Sequence, residues 1–109
     1  MYAYEIPGMR FSLPAGAEVA QHRFVSANSD SAGIQATDST AIIGVSMNEA
    51  KAGEVLEIAD GLVIVEAAGA ITAGVKVTSD TAGKAVAGDG VAVAITAASG
   101  AGELVTVKL

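Results

Sequence analysis

The sequence predicts an all-β protein: a small β-barrel or sandwich built from two similar halves, with an extended N-terminal arm. Three observations predict it. Short runs rich in Val, Ile and Thr recur about every eight to twelve residues, separated by Gly-containing turns. No segment carries a long apolar stripe at the i, i+3, i+4, i+7 spacing of a helix. And the chain repeats itself. Ala52-Gly53-Glu54-Val55-Leu56-Glu57-Ile58 reads against Ala101-Gly102-Glu103-Leu104-Val105-Thr106-Val107. Ile43-Gly44-Val45-Ser46 reads against Val93-Ala94-Ile95-Thr96, and Ala15-Gly16-Ala17 against Ala68-Gly69-Ala70. Phe24-Val25-Ser26 with Asp30 and Gly33 reads against Lys76-Val77-Thr78 with Asp80 and Gly83, after a short deletion. A period of about fifty residues is the length of one small β unit.

The elements follow in order. Met1 to Leu13 holds both Tyr, one of the two Phe and two of the three Met. Tyr2, Tyr4 and Ile6 alternate with Ala3 and Glu5, the period of an extended strand. Pro7-Gly8 marks a turn. Met9, Phe11 and Leu13 then alternate with Arg10 and Ser12, and Pro14 closes the segment. This gives an arm over residues 1–14, outside the repeat, and one β domain over 15–109 with repeat copies at 15–60 and 68–109. In the first copy His22 to Ala27 reads as a strand, Asn28 to Gly33 as a turn, and Ile34 to Thr37 as a return strand. Ala41 to Met47 is a buried strand, and Asn48 to Gly53 a loop or one helical turn. Val55 to Ile58 is a strand, Asp60-Gly61 a two-residue hairpin turn, and Leu62 to Val65 the most β-prone run. In the second copy, strands fall at Val75–Ser79, Lys84–Ala87, Val91–Thr96 and Leu104–Leu109.

The 109 residues fit one domain. Apolar residues make up 51% of it, yet Ala supplies much of that and aromatics only 4%. An Ala-rich core at ~25 cal/mol per Å² leaves a thin margin of stability. Oligomerisation or docking onto a partner would widen it. The net charge is −6, and the basic residues Arg10, Arg23, Lys51, Lys76, Lys84 and Lys108 are scattered. That argues against nucleic acid as the main partner, which would need clustered cations. No basic amphipathic face suggests a membrane surface. There is no Cys, which removes thiol redox chemistry. The start lacks the basic-then-apolar pattern of a secretory leader. The apolar stretch from Leu62 to Val75 is broken by Glu66, Gly69 and Gly74, so it is too interrupted to span a bilayer.

Candidate chemistry is sparse. His22 is the only His, and no Gly-x-Ser-x-Gly elbow or metal-ligand spacing accompanies it. Glu49, Glu54 and Glu57, and likewise Asp80 and Asp89, read as solvated turn residues, since a calcium loop would alternate Asp and end in Glu. No catalytic residue, cofactor or metal is therefore expected. Lys51, in Glu49-Ala50-Lys51-Ala52, raises one alternative: a lipoyl- or biotinyl-type carrier barrel, which displays a modified Lys on a hairpin loop. The flanking carrier signature is missing. The strongest interaction feature is the arm. Tyr and Met bury large areas at interfaces, and an extended arm can either add to another chain's sheet or fold back onto its own barrel. Tyr2, Tyr4, Ile6, Met9, Arg10, Phe11 and Leu13 are the candidate partner contacts.

The repeat also carries a resemblance. Ala68-Gly69-Ala70-Ile71-Thr72-Ala73-Gly74-Val75-Lys76-Val77 is similar to an alanine-glycine, glycine, valine entry into a strand. Ile42-Ile43-Gly44-Val45-Ser46 followed by Ala52-Gly53-Glu54-Val55 is similar to a strand-turn-strand unit, echoed in Val93-Ala94-Ile95-Thr96 and Ala101-Gly102-Glu103-Leu104-Val105. Together they resemble the capsid decoration, or cement, proteins of tailed bacteriophages, over roughly Ala15 to Leu109. The resemblance implies a structural virion protein made in the host cytoplasm and placed on the capsid exterior. It implies bridging of neighbouring major capsid protein subunits, commonly by trimers at three-fold positions, and no catalysis.

Overall fold

A computed structural model describes residues 3–109. They form nine strands: β1 (Ile6–Pro14), β2 (Phe24–Ala27), β3 (Gly33–Gln35), β4 (Gly44–Ser46), β5 (Val55–Glu66), β6 (Lys76–Ser79), β7 (Ala85–Ala87), β8 (Ala92–Ala94) and β9 (Leu104–Lys108). No helix occurs among the described residues. The fold is all-β, as the alternation and turn spacing predict. One curled antiparallel sheet runs β3-β2-β4-β5-β9-β8-β6-β7, and β1 joins it at β5.

β5 differs from the expectation. Asp60-Gly61 was expected to reverse the chain as a hairpin; instead one continuous strand passes through it. Gly61 takes φ +94°, a conformation that costs glycine little. Asp60 Oδ1 accepts the Met9 N–H at 2.9 Å. The ladder steps from Pro7↔Gly61 to Arg10↔Ala59, so the extra residue of a β-bulge lies in β1. The same turn-prone pair bends a strand because β1 holds it from the side. Pro7-Gly8, expected as a turn, belongs to this bulged stretch within β1.

The bend marks a change of buried face. Leu56 and Ile58 point into a smaller core with Ala15, Val19, Val25 and Ala50. Ala59, Val63 and Val65 point into a larger core with Phe24, Val45, Val77, Val105 and Val107. Side chains alternate along a strand, so the two cores lie on opposite faces of β5. The buried hydroxyls of Ser46 and Thr96 are paired, whereas Arg23 Nε is buried without a partner: Ser46 Oγ donates to the Ala20 carbonyl at 2.6 Å, and Thr96 Oγ1 accepts the Thr106 N–H at 2.9 Å.

The hydrogen-bond pattern recurs along the chain. β1 pairs with β5 as Phe11↔Ile58 and Leu13↔Leu56, and β5 pairs with β9 as Val63↔Val107 and Val65↔Val105. β1 therefore stands to the first part of β5 as the rest of β5 stands to β9. The segment read from sequence as outside the repeat has a counterpart inside it. The details also realign. Asn28 Oδ1 accepts from the N–H groups of Asp30 and Ala32, and Asp80 Oδ1 from those of Ala82 and Lys84. So Asn28, rather than Asp30, matches Asp80, and no deletion is needed: amide and carboxylate oxygens serve equally as acceptors in this turn. Likewise Gly44 opposes Val25 as Ala92, rather than Ala94, opposes Val77. That slip is one pleat repeat and keeps every side chain on its face.

Candidate functional site

The recurring ladder exposes a difference between the halves. Phe24 opposes Val45, which opposes Ala59. The matching positions in the second half are Lys76 opposite Val93 and Val93 opposite Lys108. Phe24, Val45 and Ala59 are fully buried in the larger core. Lys76 and Lys108 are exposed and Val93 is half-buried. The same face of the unit is thus interior in the first half and surface in the second.

Residues directly opposite in an antiparallel pair share a face. The pairs Ile6↔Leu62, Leu62↔Lys108, Lys108↔Val93 and Val93↔Lys76 therefore lay one row across β1, β5, β9, β8 and β6. It is apolar and basic in alternation. Beside it Ile64 pairs with Thr106, and Tyr4 crosses over that position. The Tyr4 N–H donates to Thr106 Oγ1 at 2.6 Å, and the Thr106 hydroxyl donates back to the Tyr4 carbonyl at 2.7 Å. That reciprocal pair buries Thr106 and fastens the start of the arm across β9.

The expected contact residues divide. Ile6 (63% exposed) and Met9 (60%) face outward, and Tyr4 is exposed beside them. Arg10 pairs with Glu57 at 2.9 Å in solvent. Phe11 and Leu13 are half-buried and pack against the smaller core. Tyr2 lies outside the described residues. The arm folds back onto its own sheet through β1. Leu62, Val93, Lys76 and Lys108 were not singled out from sequence. The signal was present in the aligned pair Phe24/Lys76, where one copy holds an aromatic ring and the other an ammonium.

A second cluster ties the halves together. Glu66 meets Arg23 Nη2 and Lys84 Nζ, each at 3.3 Å. Arg23 Nη1 and Gln35 Nε2 both donate to the Ala82 carbonyl. The Phe24 N–H donates to the Gly83 carbonyl at 2.7 Å, and the Glu66 N–H to the His22 carbonyl at 2.8 Å. Burial pulls the Glu66 carboxyl upward, but Lys84 and Arg23 together outweigh it and hold the group below its ordinary value. His22 serves through its backbone: it sits at φ +62° and its N–H donates to the Ser46 carbonyl. Among the described residues, no three His, Asp or Glu side chains group to hold a metal ion. Lys51 stands exposed in a turn where Glu54 Oε1 accepts its N–H at 2.7 Å. Glu103 closes the matching turn on the Ser99 N–H and hydroxyl, and the Ser99 hydroxyl chiefly holds its carboxyl below the usual range. Both turns serve the fold.

With this geometry, residues 6–109 match the family described as phage cement protein. The chain belongs to that family. The match opens at Ile6, the first residue of β1, so the strand that folds back is within the cement-protein unit. Among solved structures, this cement protein is similar to the N base of the head fiber gp8.5 of bacteriophage phi29. The TM-score is 0.75 at 22% identity, over 91% of each chain. That likeness is one of fold. No curated protein matches the chain. A cement protein is a structural, capsid-associated component of the virion, and the carrier reading centred on Lys51 gives way to it.

Proposed function

We propose that this cement protein sits on the outside of an icosahedral phage capsid and bridges neighbouring major capsid protein subunits. It does so as a homo-oligomer, with a trimer the expected form. The observation that carries this reading is the family match over residues 6–109. The outward arm residues Tyr4, Ile6 and Met9 supply apolar contact area, Arg10 stands exposed beside them in its pair with Glu57, and Phe11 and Leu13 hold β1 in place beneath them. A clamp that binds only the assembled lattice stabilises it by RT ln(1 + c/Kd), with c the free concentration. This is ~2.7 kcal/mol per site when c exceeds Kd a hundredfold. Many sites multiply that modest term.

Deleting the arm would not test this cleanly, because β1 covers Leu56 and Ile58. The test is co-sedimentation of purified protein with expanded shells of the phage that encodes it, comparing wild type with Ile6→Asp and Met9→Asp. Wild type is expected to pellet with shells and raise their melting temperature. The two variants, folded by circular dichroism, are expected to stay in the supernatant. Wild type that fails to decorate the shells overturns the proposal.

A further inference from the structure

We propose that the open face of the second half, the row Ile6–Leu62–Lys108–Val93–Lys76, docks an acidic protein surface, namely a carboxylate-bearing strip of the capsid subunit. The inference rests on the proposed capsid function and names the face and the chemistry that would serve it. Three observations meet here.

The first is topological. The matching face of the first half, Phe24, Val45 and Ala59, is fully buried in the larger core. The second half presents the same sheet geometry with Lys76 and Lys108 exposed and Val93 half-buried between them. It is a pleated face of the kind this fold already uses for packing.

The second is electrostatic. The ion pairs among the described residues take Arg10, Arg23 and Lys84. Lys76 and Lys108 take no part in them. Both flank Val93 in one row, on a protein of net charge −6. Two unpaired ammonium groups on either side of an apolar residue fit carboxylates that flank an apolar strip. They are too few for a polyanion, which the overall charge repels. A capsid-subunit carboxylate that pairs with either lysine as the face is covered becomes a desolvated pair whose loss is felt strongly.

The third is continuity. Ile6 opens the row and also belongs to the arm. Tyr4, fastened on Thr106, lies beside it. Arm and open face are one surface.

The experiment measures shell affinity of three charge reversals with equal net charge: Lys76→Glu, Lys108→Glu and, as control, Lys51→Glu in its exposed turn. Binding is read across a salt series. Lys76→Glu and Lys108→Glu are each expected to weaken binding at least about tenfold and to flatten its salt dependence. Lys51→Glu is expected to match wild type. All three sites are exposed, and equal urea midpoints confirm folding. If wild type binds shells and all three variants bind alike, this inference is overturned while the capsid function stands. That is also the result if the lysines merely keep the face soluble. If wild type does not bind shells, both fall. If Lys76→Glu or Lys108→Glu changes the oligomeric mass by light scattering, the occupant is a second copy of this chain and the proposal is overturned.

Discussion

Phe24 and Lys76 occupy one position in two copies of one ladder, so truncating each to Ala measures what covers the face in each half. Phe24 is fully buried in the larger core, beside Val45. Removing a buried Phe side chain costs ~3–5 kcal/mol from lost transfer and the cavity left behind. A chain of 109 residues has a total stability of about 5–16 kcal/mol at 0.05–0.15 kcal/mol per residue, so Phe24→Ala removes a large share. With a urea m-value of about 1.5 kcal/mol per M, a loss of ~4 kcal/mol lowers the unfolding midpoint by over 2 M. Lys76 is exposed and unpaired, so Lys76→Ala should shift stability by no more than about 0.5 kcal/mol either way. The assay is equilibrium urea unfolding followed by far-UV circular dichroism, on both variants at one protein concentration. Comparable shifts for the two variants would refute the reasoning, because they would mean that the second half's face is covered as the first half's is.

Three further outcomes follow from the same geometry. Gly44→Ala should cost ~1–3 kcal/mol, because an added Cβ would sit 2.5 Å from Ile58 Cγ2 and 2.8 Å from the Ala59 carbonyl oxygen; Gly69→Ala, with open space around it, should be neutral in the same thermal melt. Glu66 has a lowered carboxyl value in the folded state, so its contribution is complete above the ordinary carboxylate value and fades as pH falls through the lowered one. Glu66→Gln should therefore cost on the order of 1 kcal/mol at pH 7, and urea midpoints of variant and wild type should converge in acid. At His22, where φ is +62°, Asn tolerates the left-handed backbone and a β-branched residue does not; His22→Val should melt lower than His22→Asn by the equivalent of ~1–2 kcal/mol, and His22→Asn should bind shells as wild type does.

Much of the fold was legible because β alternation and turn residues are local signals. β2, β6 and β9 lie within the runs that Phe24-Val25, Val77-Thr78 and Val105-Thr106-Val107 announce. What local signals could not convey was how a turn-prone pair is used. Asp60-Gly61 advertises a positive φ; whether the chain then reverses or only bends depends on the Met9 N–H, half the chain away. The bulge hid the faces of the arm as well. Simple alternation puts Met9, Phe11 and Leu13 on one side and Ile6 on the other. In the ladder Ile6↔Leu62 and Phe11↔Ile58 share a face of β5, and Met9 is left outward in the bulge. Residue type singled out the arm's apolar groups, while pairing decided which of them face outward and which hold the arm down. The alignment slipped at Asn28 for a similar reason, since the turn selects an acceptor oxygen rather than a particular letter.

The sheet arrangement also bears on how a chain with so little aromatic area would serve the docking proposed above. A unit with two sheet faces stacks one against its neighbour and leaves the other to whatever comes next, and in repeat architectures the last unit needs a polar outer face to remain soluble. Here Lys76 and Lys108 meet that requirement only halfway, because Ile6 and Leu62, with Val93 between the lysines, keep the face partly apolar. Full capping would favour the free monomer, and a full apolar face would favour uncontrolled stacking on other sheets. The intermediate composition leaves a surface that is stable in water and still gains by burial. The proposed docking asks only that this face be covered. The requirement is a rigid array of side chains, and β5, shared by both cores with its bend held by β1, supplies it.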